Sequence, residues 1–261
     1  MKEKKGKSND KQGSAWWHYL ENLVLLVLFL LLWQMAGYWG KVSPVILPLP
    51  TDIFRRCVEL LESGMLVDNI LISMARVMQG YCLASGLAIL LGVFIGLSSH
   101  CRRLTSLLVQ ILKPIPPIAW IPLVILWFGI EEQSKVFLIF IGGFFTILTN
   151  VVDGIRRTDP KLIEVAQVFE TSYWNFVSQV VLPSALPSIF TGLRVGLSQC
   201  WMCVVAAELV ASATGLGYMI MNARQFGQTD VVIIGMLTIG VLGKLMNGLL
   251  QIVERRIINW R

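Results

Sequence analysis

The sequence predicts an all-helical membrane protein of about six transmembrane helices, and three observations carry that prediction. Apolar residues make up 55% of the 261 and charged ones only 15%, where soluble domains run nearer a quarter charged and cannot hide this much apolar surface. The mean hydropathy is +0.68. The apolar residues gather into six runs of about 20, the length a helix rising ~1.5 Å per residue needs to cross ~30 Å of hydrocarbon. The third observation is directional: thirteen of the 22 Lys and Arg residues fall to one side of these runs and five to the other, which places both termini in the cytoplasm. The net charge of +6 is explained by those face-bound cations, so lipid rather than nucleic acid is the expected neighbour.

The chain opens on a polar, lysine-rich tail over 1–18, expected to be a disordered cytoplasmic segment. One membrane-spanning domain over 19–261 follows, with no internal repeat. The predicted spans are 21–38, 69–97, 104–128, 135–152, 188–210 and 231–253. The first is read as uncleaved, because Met35-Ala36-Gly37-Tyr38-Trp39 is a poor small-residue cleavage site. Between spans one and two, Leu47-Pro48-Leu49-Pro50-Thr51-Asp52 precedes Ile53, Val58, Leu60 and Leu61 at helical spacing. This predicts a short amphipathic helix on the outer surface, capped by Thr51 or Asp52, that serves as a linker or meets an outside partner. The second span is long enough to tilt or project. In the third, Pro114, Pro116, Pro117 and Pro122 remove backbone donors and break the helix. A broken helix within a membrane lines a cavity or packs on protein.

The connection over 153–187 is the longest on the cytoplasmic side. Asp159-Pro160 predicts a helix start, Asp capping free amides and Pro tolerated in the first turn. Leu162, Val165, Ala166 and Phe169 then recur at helical spacing beside Glu164. Thr171-Ser172 breaks this element and caps a second helix holding Trp174, Phe176, Val180 and Val181, which is expected to end before Pro183. Such a short rigid foot transmits force where a floppy loop cannot.

Here the residues resemble a known family. Glu164-x-Ala166, with Leu182-Pro183 and Pro187 downstream, is similar to the EAA loop of ATP-binding cassette importer permeases. The run Pro114-x-Pro116-Pro117-Ile118-Ala119, then Ile121-Pro122-Leu123 and Trp127-Phe128-Gly129-Ile130, resembles the subgroup that imports sulfonates, taurine, nitrate or bicarbonate. Leu47-Pro48, Ser73-x-x-Arg76 with Gly80, Ala207-Glu208-Leu209 and Gly215-Leu216-Gly217 add to the likeness, which covers nearly the whole chain beyond the tail.

The resemblance implies a type I importer permease fold, a second permease copy, a cytoplasmic ATPase in two copies and a periplasmic or surface solute-binding protein. It implies that Asp159, Glu164, Ala166, Glu170, Leu182 and Pro183 belong to the ATPase-coupling region. Glu164 would meet a basic residue of the ATPase, and Ala166 would allow close approach. The chain departs from the family at Glu170, where Gly is usual. Glu in a left-handed turn costs on the order of 1 kcal/mol and puts negative charge at a helix C-terminus. Either the turn is built differently or Glu170 pairs with a partner cation.

No cofactor is expected on this chain, ATP and magnesium being held by the partner ATPase. Gly6-Lys7-Ser8 has no Gly five residues earlier and Gly243-Lys244-Leu245 lies inside a span, so neither is a phosphate-binding loop. No catalytic arrangement is visible and the chain is read as a transport subunit, not an enzyme. Cys200 and Cys203 form a CxxC in an apolar helical run, with no second CxxC or nearby His, and read as packing rather than as a metal or redox site. His18 and His100 sit at span edges.

Ionisable residues inside spans are costly and therefore informative. Arg194 and Lys244 lie toward the inner face and are expected to snorkel to headgroups. Lys113, beside the proline break, either does the same or faces a wet cavity. Arg76 and Glu208 fall in the outer third of antiparallel spans, as an ion pair tying span two to span five or as part of a gate. For the translocation path or gate the candidates are Pro116, Pro117, Asn150, Ser198, Gln199, Arg76 and Glu208. Asn150 serves equally as helix-to-helix glue. The function expected is passage of a small oxyanion by alternating access, sulfonate or taurine first and nitrate or bicarbonate next. A vitamin precursor or other small solute is the alternative within the family. A self-sufficient secondary carrier is the rival from another class, and it requires a membrane-embedded titratable site and inverted repeats.

Overall fold

The computed structural model describes residues 24–25, 27–38, 43, 46–159, 161–162, 164, 168–169 and 171–258. The expected tail over 1–18, the start of the first span, Ala166 and Glu170 lie outside the described residues.

Every regular element among the described residues is helical. In chain order they are α1 (Val27–Tyr38), α2 (Pro50–Glu62), α3 (Met65–Leu97), α4 (Ser99–Leu112), α5 (Ile121–Phe128), α6 (Glu132–Arg156), α7 (Tyr173–Ala211), α8 (Leu216–Gln225) and α9 (Thr229–Ile257). The helices α3, α6, α7 and α9 are each long and apolar enough to cross a membrane. At 33 residues α3 is roughly 50 Å long, well beyond the hydrocarbon thickness. α1, the described part of the first expected span, is a shorter apolar helix.

The expected third span, 104–128, is not one rod. α4 begins at Ser99, its first turn capped by the Ser98 hydroxyl, which accepts from the Cys101 amide at 3.3 Å. The chain then bends by 88° into the segment Pro117–Phe128. The cause is local: Pro114, Pro116 and Pro117 offer no amide to continue the helix, and only a single 3₁₀ turn, Pro117–Trp120, forms before α5 resumes with Pro122 in its first turn.

The core is built around α6, which packs parallel to α3 on one side and antiparallel to α7 on the other. Small residues set the closeness of the α6–α7 seam. A Cβ on Gly143 would lie 2.7 Å from Cys200 Sγ, and one on Gly142 would collide with Cys203 Sγ. Both cysteines are buried, and the Cys200 thiol donates to the Ile139 carbonyl at 3.4 Å. They pack, as the sequence suggested. Gly192 meets Asn150 in the same seam, and Gly92 and Gly96 meet Val151 and Ile155 on the α3 side. The outward faces of α3 and α9 carry Leu87, Leu90, Phe94, Leu237, Val241 and Leu249 in exposed positions, a surface that only lipid or another apolar face would match.

Three further expectations are corrected. α2 is capped by neither Thr51 nor Asp52: Leu49 precedes it without a side-chain cap, because Pro50 takes the first position and needs no amide partner. The Thr51 hydroxyl instead accepts from Gln34 Nε2 of α1 at 3.3 Å. The helix starting at Tyr173 does not end before Pro183. It widens into a π segment, Val177–Val181, where the Leu182 amide bonds to the Val177 carbonyl, and runs on through Pro183 and Pro187 as one 39-residue helix. The proline has no amide to lose at the point where the register changes. Arg194 does not stand alone at the inner face: its Nε lies 3.4 Å from Glu254 Oε2, an ion pair that ties α7 to α9.

Candidate functional site

The two ends of the α6–α7 pair carry different chemistry. At the end where α6 begins, Arg76 and Glu208 do form an ion pair, Arg76 Nη1 donating to Glu208 Oε1 at 2.8 Å. Both are almost wholly buried, at 3% and 1% exposure. The pair belongs to a larger network. Arg76 Nε and Nη2 donate to the two oxygens of Glu132, each at 2.7 Å, a bidentate fork that fixes the guanidinium plane. The remaining Arg76 donors reach the Thr214 carbonyl at 2.8 Å and its hydroxyl at 3.0 Å. Lys135 Nζ donates to Glu132 Oε1 at 2.8 Å. Two cations therefore face two carboxylates, so Arg76, Lys135 and Glu208 are kept out of water with their charges balanced, while the Glu132 side chain stays 60% exposed.

Glu208 has a second task. The first amides of α8 have no partners within their own helix. Gly217 N–H donates to Glu208 Oε2 and Leu216 N–H to Ser73 Oγ, both at 2.8 Å, and Gly215 N–H to Asn69 Oδ1 at 2.7 Å. The Ser73 hydroxyl also lies 2.8 and 2.9 Å from the two Glu208 oxygens. The carboxylate thus sits at the positive end of the α8 dipole. Gly215 is required twice over: its φ is +104°, and a Cβ there would collide with the Glu208 carboxylate. One buried cluster therefore ties α3, α6, α7 and α8 together at this end. Sequence reasoning missed Glu132, Lys135 and α8 itself. Glu132 and Lys135 stand three residues apart at the mouth of a span, which is the signal that identifies an intrahelical pair. Lys135, at the start of the predicted span 135–152, is 5% exposed.

At the opposite end, the antiparallel stem is closed tightly before the chain leaves it. The hydroxyls of Thr158 and Ser184 are 3.0 Å apart, and a Cβ on Gly154 would meet Ser188 Cβ at 2.7 Å. Beyond this closure stands the foot. Asp159 accepts from the Lys161 amide at 2.9 Å and starts the helical residues that include Leu162, Glu164 and Val168. Ser172 caps the next turn, accepting from the Asn175 amide at 3.5 Å. All the described residues over 159–175 are exposed, Val168 by 79%, Phe169 by 74% and Trp174 by 77%. The Tyr173 and Trp174 rings meet edge to face at 5.9 Å. An apolar ridge flanked by Glu164, Asp159 and Lys161 is held out on a braced stem, the form of a protein-docking surface. Leu182 and Pro183 are half-buried in α7, in the stem rather than the foot.

The path candidates are not gathered in one place. Asn150 lies in the α6–α7 seam, its amide donating to the Thr146 carbonyl of its own helix at 2.8 Å. Ser198 is exposed on α7 and donates to the Arg194 carbonyl at 3.3 Å, while Gln199 is half-buried beside it. Pro116 is exposed and Pro117 half-buried at the bend between α4 and α5. Lys113 Nζ crosses from the end of α4 to Thr149 Oγ1 of α6 at 3.2 Å, lining a cavity.

Comparison with known proteins agrees with this architecture. The family described as "Binding-protein-dependent transport system inner membrane component" matches residues 87–259. The chain is 39% identical over 251 residues, 96% of this chain and 91% of the other, to the "Putative aliphatic sulfonates transport permease protein SsuC" of Bacillus subtilis (strain 168). It is 32% identical, over 90% of this chain and 87% of the other, to the taurine transport system permease protein TauC of Escherichia coli (strain K12). Among solved structures, a chain of the MetNI methionine ABC transporter in an inward-facing conformation superposes with a TM-score of 0.59 at 22% identity, over 76% of this chain and 96% of that one.

Proposed function

The chain belongs to the family of binding-protein-dependent transport system inner membrane components, and from that premise we propose that its exposed foot is the part gripped by a separate ATPase. It is the transmembrane subunit of an ATP-binding cassette importer, a transport component rather than an enzyme. The observation that carries the coupling reading is the foot itself, with Val168, Phe169, Tyr173 and Trp174 exposed on a stem braced by the Thr158–Ser184 contact. Apolar side chains held in water at the tip of a rigid element are stable there only when a partner covers them. Glu164 supplies the charge that orients the fit.

In this reading the foot end faces the cytoplasm and both termini lie there too. Two permease copies stand side by side over two ATPases, which hold the ATP and magnesium. Closure of the ATPases draws the two feet together and rocks the stems from inward-open to outward-open, so that access alternates across the membrane. The π segment, Val177–Val181, stands where the foot joins the span, a break in helical regularity that absorbs such a displacement. The solute is a small oxyanion, an aliphatic sulfonate or taurine before nitrate or bicarbonate. Relatives named for aliphatic sulfonates and for taurine support that choice.

Reconstitution tests the class. In liposomes the permease alone should move no taurine or hexanesulfonate under an imposed proton or sodium gradient, and uptake should begin only when ATPase, binding protein and ATP are all supplied. Gradient-driven uptake by the permease alone would contradict the reading.

A further inference from the structure

Near the foot end, between the close of α3, the length of α4 and the last turns of α6, lies a cavity of about 220 Å³. Arg102 from α4, Lys113 at its C-cap and Arg156 from α6 all line it, with Asp153 as the one carboxylate. Three cations against one anion leave two positive charges over. Orientation in the membrane requires that Lys and Arg lie on this side, but it does not require residues from two helices to converge on one cavity while their neighbours Arg103 and Arg157 do not line it. Neither the Arg102 nor the Arg156 guanidinium has an ion pair or side-chain hydrogen bond with any described residue. Each presents five N–H donors in a planar fork matched to phosphate, sulfonate and carboxylate geometry. Lys113 donates one N–H to Thr149 and keeps two more, and Gln110 adds an amide. The Asp153 carboxylate stands in the same wall and offsets one of the three cations, which still leaves ample positive charge to hold a singly charged head. Beside the cations, Ile95 and Leu148 form an apolar wall.

We propose that this cavity binds the oxyanion head of a singly charged amphiphile, an alkanesulfonate or the phosphodiester of an anionic lipid, with the head between Arg102, Arg156 and Lys113 and the apolar part against Ile95 and Leu148. As a station for transported solute leaving the permease toward the cytoplasm, the site rests on the importer reading above. As a binding site it does not, since it needs neither ATP nor a docked foot. The volume suits this role, being smaller than the ~300–1,000 Å³ of pockets that hold drug-sized ligands.

The test uses the full-length permease alone in phosphatidylcholine nanodiscs, without ATPase or nucleotide, with radiolabelled hexanesulfonate as one probe and phosphatidylglycerol, counted by native mass spectrometry, as the other. The double variant Arg102→Gln/Arg156→Gln is compared with Arg103→Gln/Arg157→Gln, which removes the same charge one residue away. Thermal unfolding is measured first, to check that both variants are folded. Saturable hexanesulfonate binding that weakens about tenfold or more in the first variant and holds in the second assigns the site to free solute. Retained phosphatidylglycerol lost only in the first variant, without sulfonate binding, assigns the same site to lipid phosphate. If neither probe binds, or if both variants lose binding equally, the cations serve membrane orientation alone and the proposal is overturned. Because no ATP is used, a failure of the coupling reading would leave this result unaffected.

Discussion

Arg76→Ala should lower the thermal unfolding temperature of the purified protein further than Glu208→Ala does, and the double variant should be more stable than Arg76→Ala alone. The asymmetry follows from what each truncation abandons. Without Arg76, Glu208 remains buried at 1% exposure with the Ser73 hydroxyl, the Gly217 amide and the α8 N-terminus but with no cation. An orphaned buried charge of this kind costs about 3–5 kcal/mol. Without Glu208, Arg76 keeps its bidentate partner Glu132 and both Thr214 acceptors, so the loss is mainly one unpaired amide of α8, about 1–3 kcal/mol. Removing both leaves no isolated anion. A double-mutant cycle on unfolding temperatures in detergent reads the coupling directly, and additive losses would show that the two side chains do not act together. Since the cluster joins α3, α6, α7 and α8, the same variants should loosen the end of the bundle farthest from the foot.

Glu164→Lys should abolish transport and co-purification with the ATPase while leaving membrane insertion and thermal stability as in the parent. Glu164 is exposed in a helical segment, and a charge reversal at an exposed site changes stability by no more than a few tenths of a kcal/mol. At a docking surface the same reversal sets like charges together, at a cost of several kcal/mol, which is a hundredfold or more in affinity at ~1.4 kcal/mol per decade. Stability and association should therefore separate. Pull-down from membranes and uptake in whole cells measure the second, thermal unfolding the first. Unchanged uptake would remove Glu164 from the coupling surface.

Much of this was legible in the sequence because the signals are local. Four prolines within nine residues announce the break between α4 and α5, and Asp159 and Ser172 cap helix starts where their side chains predict. The Arg76–Glu208 pair was legible, but Ser73 and Gly215-Leu216-Gly217 stood out only as separate short motifs, and only the fold shows that all of them are one cluster. Their meaning is tertiary: Gly215 is glycine because Glu208 fills the space its side chain would take. Glu132 and Lys135 were hidden by a rule that works on average, since a lysine at the edge of a span is ordinarily a solvated topology signal. α8 was hidden because its ten residues, Leu216–Gln225, mix apolar with polar side chains and are too short to cross a membrane. The continuation of α7 through Pro183 depends on a π register that leaves no trace in the hydrophobic period. The foot's exposure was legible only as an amphipathic pattern, and that Trp174 and Phe169 stand uncovered is a fact of the fold.

The central claim is that the foot faces the cytoplasm and seats in the ATPase. Val168, exposed by 79% at its tip, is the place to ask. In a variant whose exposed or half-exposed cysteines Cys57, Cys82 and Cys101 are replaced by serine, Val168→Cys should be shielded from a membrane-impermeant maleimide in intact cells. In inverted membrane vesicles it should cross-link to the ATPase chain through a short bis-maleimide. Labelling from outside the cell, or a cross-link to the solute-binding protein in place of the ATPase, would contradict the account.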